Sequence, residues 1–175
     1  SKGPGIAPST GERPEIDPHR CILVGYGPVG RTVHRLLLDR GAVITVIELN
    51  LKTVRNLKKS GCDALYGDVL RQGTLEQAGI ASAGSLVLSA DVENAAEIIR
   101  QACLLNPGLR ILARCAHLRD VDGLRKAGAT VVAAGEVEVA VALAEAVTIE
   151  DKPDHMATAA QRDAIRNHLY NNPVG

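Results

Sequence analysis

The chain has 175 residues, 46% of them apolar and 23% charged, which is enough to bury one globular core and excludes wholesale disorder. Its 20 Lys plus Arg balance 20 Asp plus Glu, so no net field draws it to nucleic acid or to an anionic membrane. No apolar run approaches the ~18 residues of a membrane span and no charged-then-apolar signal opens the chain, so a soluble, cytoplasmic domain is expected.

Residues 1–19 hold four Pro and three Gly with almost no apolar periodicity and read as a flexible linker, with ordered structure entering near Arg20. Residues 20–150 read as one domain. Cys21 to Val24 is a short apolar run ending in glycine, the pattern of a strand buried on both faces. Val29, Val33, Leu36 and Leu37 then recur at helical spacing, and Gly41 stops that helix. Ala42 to Ile47 is a second β-branched strand. Asn50 suits an N-cap, with Leu51, Val54 and Leu57 on one helical face and Gly61 as the stop. Asp63 to Tyr66 makes a short third strand, Thr74 to Ala78 a short helix, and Ser85 to Ser89 a fourth strand.

Asp91 is a good N-cap for a helix from Val92 to about Leu105, which Asn106-Pro107-Gly108 terminates. Leu109 to Ala113 is the fifth strand. Leu118, Val121, Leu124 and Ala127 mark a fifth helix, Ala129 to Ala133 the sixth strand and Val137 to Val147 the sixth helix. Strands alternating with helices mean βαβ units, so the fold class is α/β: a Rossmann-like, doubly wound parallel sheet of six strands, order 3-2-1-4-5-6, with helices on both faces. The sixth helix is Val, Ala and Leu nearly all round, with Glu136, Glu138 and Glu145 its polar positions. So narrow a polar stripe needs cover on more than one side, which favours a homodimer interface over burial within the domain. Residues 151–175 form a polar tail with one short helix, Thr158 to Leu169, and carry no evident chemistry.

With no Phe, no Trp and only three Tyr, the core must be aliphatic. Cys21, Cys62, Cys103 and Cys115 lie in apolar stretches without Cys-x-x-Cys spacing and read as buried free thiols. His19, His34, His117, His155 and His168 form no metal-ligand or nucleophile pattern and read as surface or capping residues.

The chemistry is concentrated in Gly25-Tyr26-Gly27-Pro28-Val29-Gly30. This G-x-G-x-x-G follows a strand, opens a helix, and is answered by Glu48 at the end of the next strand, the context a nucleotide-binding turn requires. Gly25 permits the sharp turn, Gly27 lets backbone approach a phosphate, and Gly30 allows close helix–strand packing. Pro28 fits the first helical turn, whose N–H groups and positive dipole end face the phosphates. Glu48 can accept bonds from both ribose hydroxyls and repel a 2′-phosphate, so AMP, ADP, ATP or NAD(H) is expected over NADP.

Taken with Arg31, Val46-Ile47-Glu48-Leu49-Asn50, Tyr66-Gly67-Asp68, Leu75 to Gly79 and Ala90-Asp91, the chain resembles the TrkA-N or RCK domain, the nucleotide-binding regulator of potassium channels and transporters. It is most similar to the cytosolic domain of Kef-type monovalent cation:proton antiporters, where the fifth strand also ends in Ala-Arg (here Ala113-Arg114) and a Lys-Ala-Gly-Ala segment (126–129) follows. The resemblance spans residues 20 to about 148. It implies that Leu49, Gly67, Asp68 and Val69 sit at the adenine and ribose edge, Asp68 accepting from the exocyclic amine. Ala90 and Asp91 would stand near the phosphates or a second nucleotide half, and Arg31 and Arg114 would face phosphate. The residues alone leave other roles open: Asp68 as a turn residue, Asp91 as a helix cap, the two arginines as surface groups. Interface residues and a longer C-terminal region of the glutathione-gated members find no match here. No metal site is implied. The resemblance implies a dimeric, non-enzymatic sensor at the cytosolic face of the inner membrane, partnered with a cation-transporter portion. An NAD-dependent oxidoreductase is the alternative, and it would need a substrate pocket and proton donor that the short polar tail offers only as His155 and His168.

Overall fold

The computed structural model describes residues 11, 13–151 and 159–172. Six parallel strands form one sheet: β1 (Asp17–Val24), β2 (Val43–Glu48), β3 (Asp63–Tyr66), β4 (Ala83–Leu88), β5 (Arg110–Cys115) and β6 (Val131–Ala134). Their order is β3-β2-β1-β4-β5-β6, as the alternation of strand and helix signals predicts. Among the described residues seven α-helices accompany them: α1 (Pro28–Leu38), α2 (Leu51–Lys59), α3 (Thr74–Gln77), α4 (Ala95–Leu105), α5 (Val121–Ala127), α6 (Gly135–Asp151) and α7 (Ala159–Asn171), with short 3-10 turns at Ile80–Ser82 and Leu118–Asp120.

Alternate residues of the strands feed two apolar layers. Cys21, Leu23, Ile44, Val46 and Ala64 meet Val54 and Leu57 of α2 and Val33 and Leu37 of α1. Ile22, Val24, Leu86, Leu88 and Ile111 meet Ile98, Ile99 and Ala102 of α4 and Leu124 of α5 on the other face. Each Val, Leu or Ile among them, fully removed from water, contributes roughly 1.5–3 kcal/mol, and the aromatic share of the layers is small: Tyr170 is buried in the second and Tyr26 packs half-buried on the first. Of the four free thiols, those of Cys21 and Cys115 are buried, while Cys62 and Cys103 are half-buried.

Several elements depart from the sequence expectations. β1 starts at Asp17, ahead of Arg20: Pro18 is accommodated where the pairing with β4 shifts register, and Gly84 allows the two backbones to cross closely. α1 buries Gly30 and His34, with Val33 and Leu37 half-buried, whereas Val29 and Leu36 are exposed. The helix is thus rotated from the face that its apolar residues suggest. α4 begins at Ala95 rather than Val92, capped by Asn94 in the left-handed region (φ 59°), and Asp91 is not its N-cap. Asn tolerates that conformation, and the turn closed by the Ala95 N–H on the Val92 carbonyl delays the helix by one turn. β5 starts one residue after Leu109, which is held in a turn by the Asn106 carbonyl, and it extends to Cys115. β6 likewise starts at Val131 and ends at Ala134, because Thr130 uses its hydroxyl to cap the Ile111 N–H.

The tail also does more than its sequence announced. α7 packs on α6, and Arg166 Nε donates to Glu138 Oε2 at 2.9 Å. Buried Tyr170 donates its hydroxyl to Glu138 Oε1 at 2.9 Å while accepting from the Ala134 N–H at 2.8 Å. Burial, with the Glu138 carboxylate beside it, pushes the Tyr170 phenol up to about 12.

Candidate functional site

A parallel doubly wound sheet offers a crevice where its strand order reverses, at the carboxyl ends of β1 and β4. The glycine turn lies there. Gly25 leaves β1 at φ 91°, a conformation costly for any residue with a Cβ, and its N–H is held by the Ile47 carbonyl at 3.0 Å. Gly30 fits because a Cβ there would run into the Gly25 carbonyl oxygen and the Ser89 hydroxyl. Ser89 is buried and shares its one hydroxyl proton between the Val24 and Gly25 carbonyls, each 3.0 Å from its Oγ, so it ties the turn to the end of β4. Because both carbonyls precede the helix, the turn is held from behind and its open side faces the crevice.

Gly27 differs from its two neighbours. It is the N-cap of α1 at φ −74°, a conformation open to any residue, and a Cβ there would meet nothing within 4 Å. The fold itself gives no reason for glycine at this position. No side chain caps the first turn of α1, and that turn holds no acidic residue, so its unpaired N–H groups and positive dipole end are left for an outside acceptor.

Glu48 closes β2 opposite the turn. Its Oε2 accepts the Tyr26 N–H at 2.8 Å and its Oε1 accepts the Asn50 N–H at 2.9 Å. The carboxylate is therefore fixed by two backbone donors, and each oxygen keeps a further lone pair for a hydroxyl. Asp68 accepts the Leu70 N–H at 2.9 Å, the turn-forming role that its sequence left open.

A cleft of about 200 Å³ gathers nine of the residues singled out from sequence: Gly25, Tyr26, Gly27, Glu48, Leu49, Gly67, Asp68, Val69 and Ala90. Pro28, Val29, Gly30 and Arg31 stand beside it in the first turn of α1, and Asp91 follows Ala90 as an exposed residue. Arg114 lies one strand away, its Nη1 3.5 Å from the Ser89 carbonyl. The sequence reading missed Val24, Ile47 and Val92 as cleft walls and Ser89 as the brace. Val24 and Ile47 were legible only as strand residues. Val92 enters the wall because α4 starts late, and no local signal announces that.

The cleft and its glycine turn define the class: a Rossmann-like domain of the nucleotide-binding kind. The chain belongs to the TrkA-N domain family, whose model matches residues 21–135. It is 36% identical over 123 residues to the glutathione-regulated potassium-efflux system protein KefC of Cronobacter sakazakii, a match covering 67% of this chain and 19% of that protein. The chain thus spans about a fifth of the length of that relative. Among solved structures, it is similar to the TrkA-N domain of the inner membrane protein ybaL from Escherichia coli. That likeness has a TM-score of 0.68 and 30% identity, and it covers 73% of this chain and 95% of that one. The Shewanella denitrificans Kef CTD in AMP-bound form shares the fold at a TM-score of 0.64 and 23% identity, over 87% of this chain and 90% of that one. Among the described residues no helix is long and apolar enough to cross a membrane.

Proposed function

We propose that this chain is a regulatory domain that binds an adenine nucleotide in the crevice between β1 and β4 and gates a monovalent-cation transporter. The observation that carries the reading is Gly27: its Cβ position points into open space, so the absence of a side chain serves something that approaches from outside. A phosphate on the N-terminal turn of α1 is that something, with Gly25 to Arg31 around it and the ribose hydroxyls on the remaining lone pairs of Glu48. Leu49, Gly67, Asp68 and Val69 would flank the base, while Ala90, Asp91 and Arg114 would stand on the β4 side. AMP and NAD(H) both satisfy this arrangement, and ADP and ATP share the adenosine half. The AMP-bound Kef structure supports the ligand class, and the KefC relative supports the transport role and a place at the cytosolic face of the membrane.

The same reading makes the domain a sensor and not an enzyme, and a homodimer. α6 turns Val137 and Val141 into its own core but leaves Val139, Leu143 and Val147 60–65% exposed, one turn apart along a single stripe. A second copy of that stripe is the cover with matching chemistry.

The test is a thermal-shift panel of AMP, ADP, ATP, NAD and NADH on the wild type and Gly27→Ala. A ligand ~100-fold above its dissociation constant should stabilise the wild type by about 2.7 kcal/mol and the variant far less. No shift with any of the five would overturn the reading, and steady NADH consumption would replace it with an oxidoreductase.

A further inference from the structure

The glycine turn is anchored by a buried histidine that the sequence pattern treats as a surface residue. His34, one helical turn beyond Gly30, is only 4% exposed. Its Nδ1 lies 3.3 Å from the Tyr26 hydroxyl, and the two rings meet edge-on, 5.4 Å between centroids at 80°. Tyr26 is also a wall of the cleft, the residue between Gly25 and Gly27, and the donor whose N–H holds Glu48. One buried imidazole therefore supports both the phosphate turn and the carboxylate assigned to the ribose.

We propose that His34 is a positioning residue for the nucleotide cleft, holding Tyr26 in place best while its buried ring is neutral, so that acid loosens the turn and weakens nucleotide binding. The proposal rests on the nucleotide reading above and adds its regulation. In the neutral ring with its proton on Nε2, Nδ1 accepts the Tyr26 O–H; an imidazolium can only donate, so the hydroxyl would have to reverse. The added charge would also be buried without a counter-ion. On Tyr26, burial acts first and raises the phenol, the Cys62 thiol at the junction of α2 and β3 raises it further and Arg31 on the same helix lowers it; on His34 burial alone acts, and among the described residues no carboxylate pairs with its ring. Burial already holds the imidazole below its ordinary 6.5. Opening the turn restores the ordinary value and takes up a proton, so acid favours the open turn. A nucleotide that selects the closed turn must, by reciprocity, lower the His34 pKa further.

Affinity for AMP and for NAD is measured calorimetrically from pH 5.5 to 8 on the full chain, wild type and His34→Gln. Ionisation of the ligand is common to both proteins and cancels in their ratio. The wild type should lose severalfold more affinity than the variant as the pH falls through 6.5. In the wild type alone, the His34 ring-proton resonance should titrate at lower pH with saturating nucleotide than without, a readout that survives if the variant folds poorly. An affinity ratio flat in pH, or a His34 titration unmoved by nucleotide, overturns the proposal alone. Absence of binding at every pH removes the nucleotide reading and this proposal with it.

Discussion

The Glu48 carboxylate accepts the backbone N–H of Tyr26 at 2.8 Å, so the end of β2 and the glycine turn after β1 are locked together before any ligand arrives. The acid is thus part of the turn as well as part of the cleft. Glu48→Gln keeps one carbonyl acceptor but must lose either the Tyr26 or the Asn50 contact, or meet it with an amide donor. Calorimetry should show adenine-nucleotide affinity reduced about tenfold, the equivalent of roughly 1.4 kcal/mol, and urea melts should show a stability loss of about 1 kcal/mol. A variant with lowered stability but unchanged affinity would confine Glu48 to the turn.

The glycines of the turn should separate cleanly under substitution. Gly27→Ala is expected to change stability by less than about 1 kcal/mol, since its φ suits alanine, while abolishing most nucleotide affinity. Gly30→Ala must push a Cβ against the Gly25 carbonyl and the Ser89 hydroxyl, and should cost about 1–3 kcal/mol in denaturant melts. Equal effects of the two on stability would mean that Gly27 is kept for the fold.

The two α6 positions suited to a charge test differ in what they touch. Leu143 is 65% exposed and Val141 is 4% exposed. Leu143→Asp should shift sedimentation from dimer to monomer with the melting temperature of the fold retained. Val141→Asp should instead destabilise the monomer by several kcal/mol, because it places an unpaired charge in the core. A wild type that stays monomeric at high micromolar concentration, with and without nucleotide, would count against the dimer.

Tyr170→Phe removes the hydroxyl that accepts from Ala134 and donates to Glu138. Leaving the buried Ala134 N–H unmet should cost about 1–3 kcal/mol and speed amide exchange in α7 and at the end of β6 more than elsewhere. Uniformly unchanged exchange would show that α7 is held by its apolar contacts alone.

The pH dependence of stability follows from the lowered pKa of His34. The unfolded chain binds more protons than the native one between the depressed value and 6.5, so stability is complete above 6.5 and declines as the pH falls below it. His34→Gln should flatten this decline in chemical melts at pH 5 to 7. An equal decline in the variant would assign it to other groups.

The sheet order and the position of the glycine turn were legible because each depends on local signals: apolar runs between glycines, Asn50 as a cap that accepts the Thr53 N–H, an acid at the end of β2. What escaped depends on phase or on distant partners. α6 is apolar nearly all round, so its periodicity cannot say that Val141 faces inward and Leu143 outward. α1 was read from Val29, Val33, Leu36 and Leu37, yet tight packing at Gly30 turns His34 inward beside Val33 and Leu37 and leaves Val29 and Leu36 exposed. The late start of α4 follows from a single left-handed Asn94, and the anchoring of α7 from a hydroxyl that reaches residues 32 and 36 positions away in the chain.

The cleft straddles the one strand pair, β1 with β4, that joins the two halves of the sheet. All but two of its walls, Ala90 and Val92, come from the first half of the chain. An occupant would therefore act as a clasp across a seam: it would grip one half firmly and catch the lip of the other, and the seam would shear less. What such an occupant would change first is how stiffly β1 and β4, and with them the two halves of the sheet, move together.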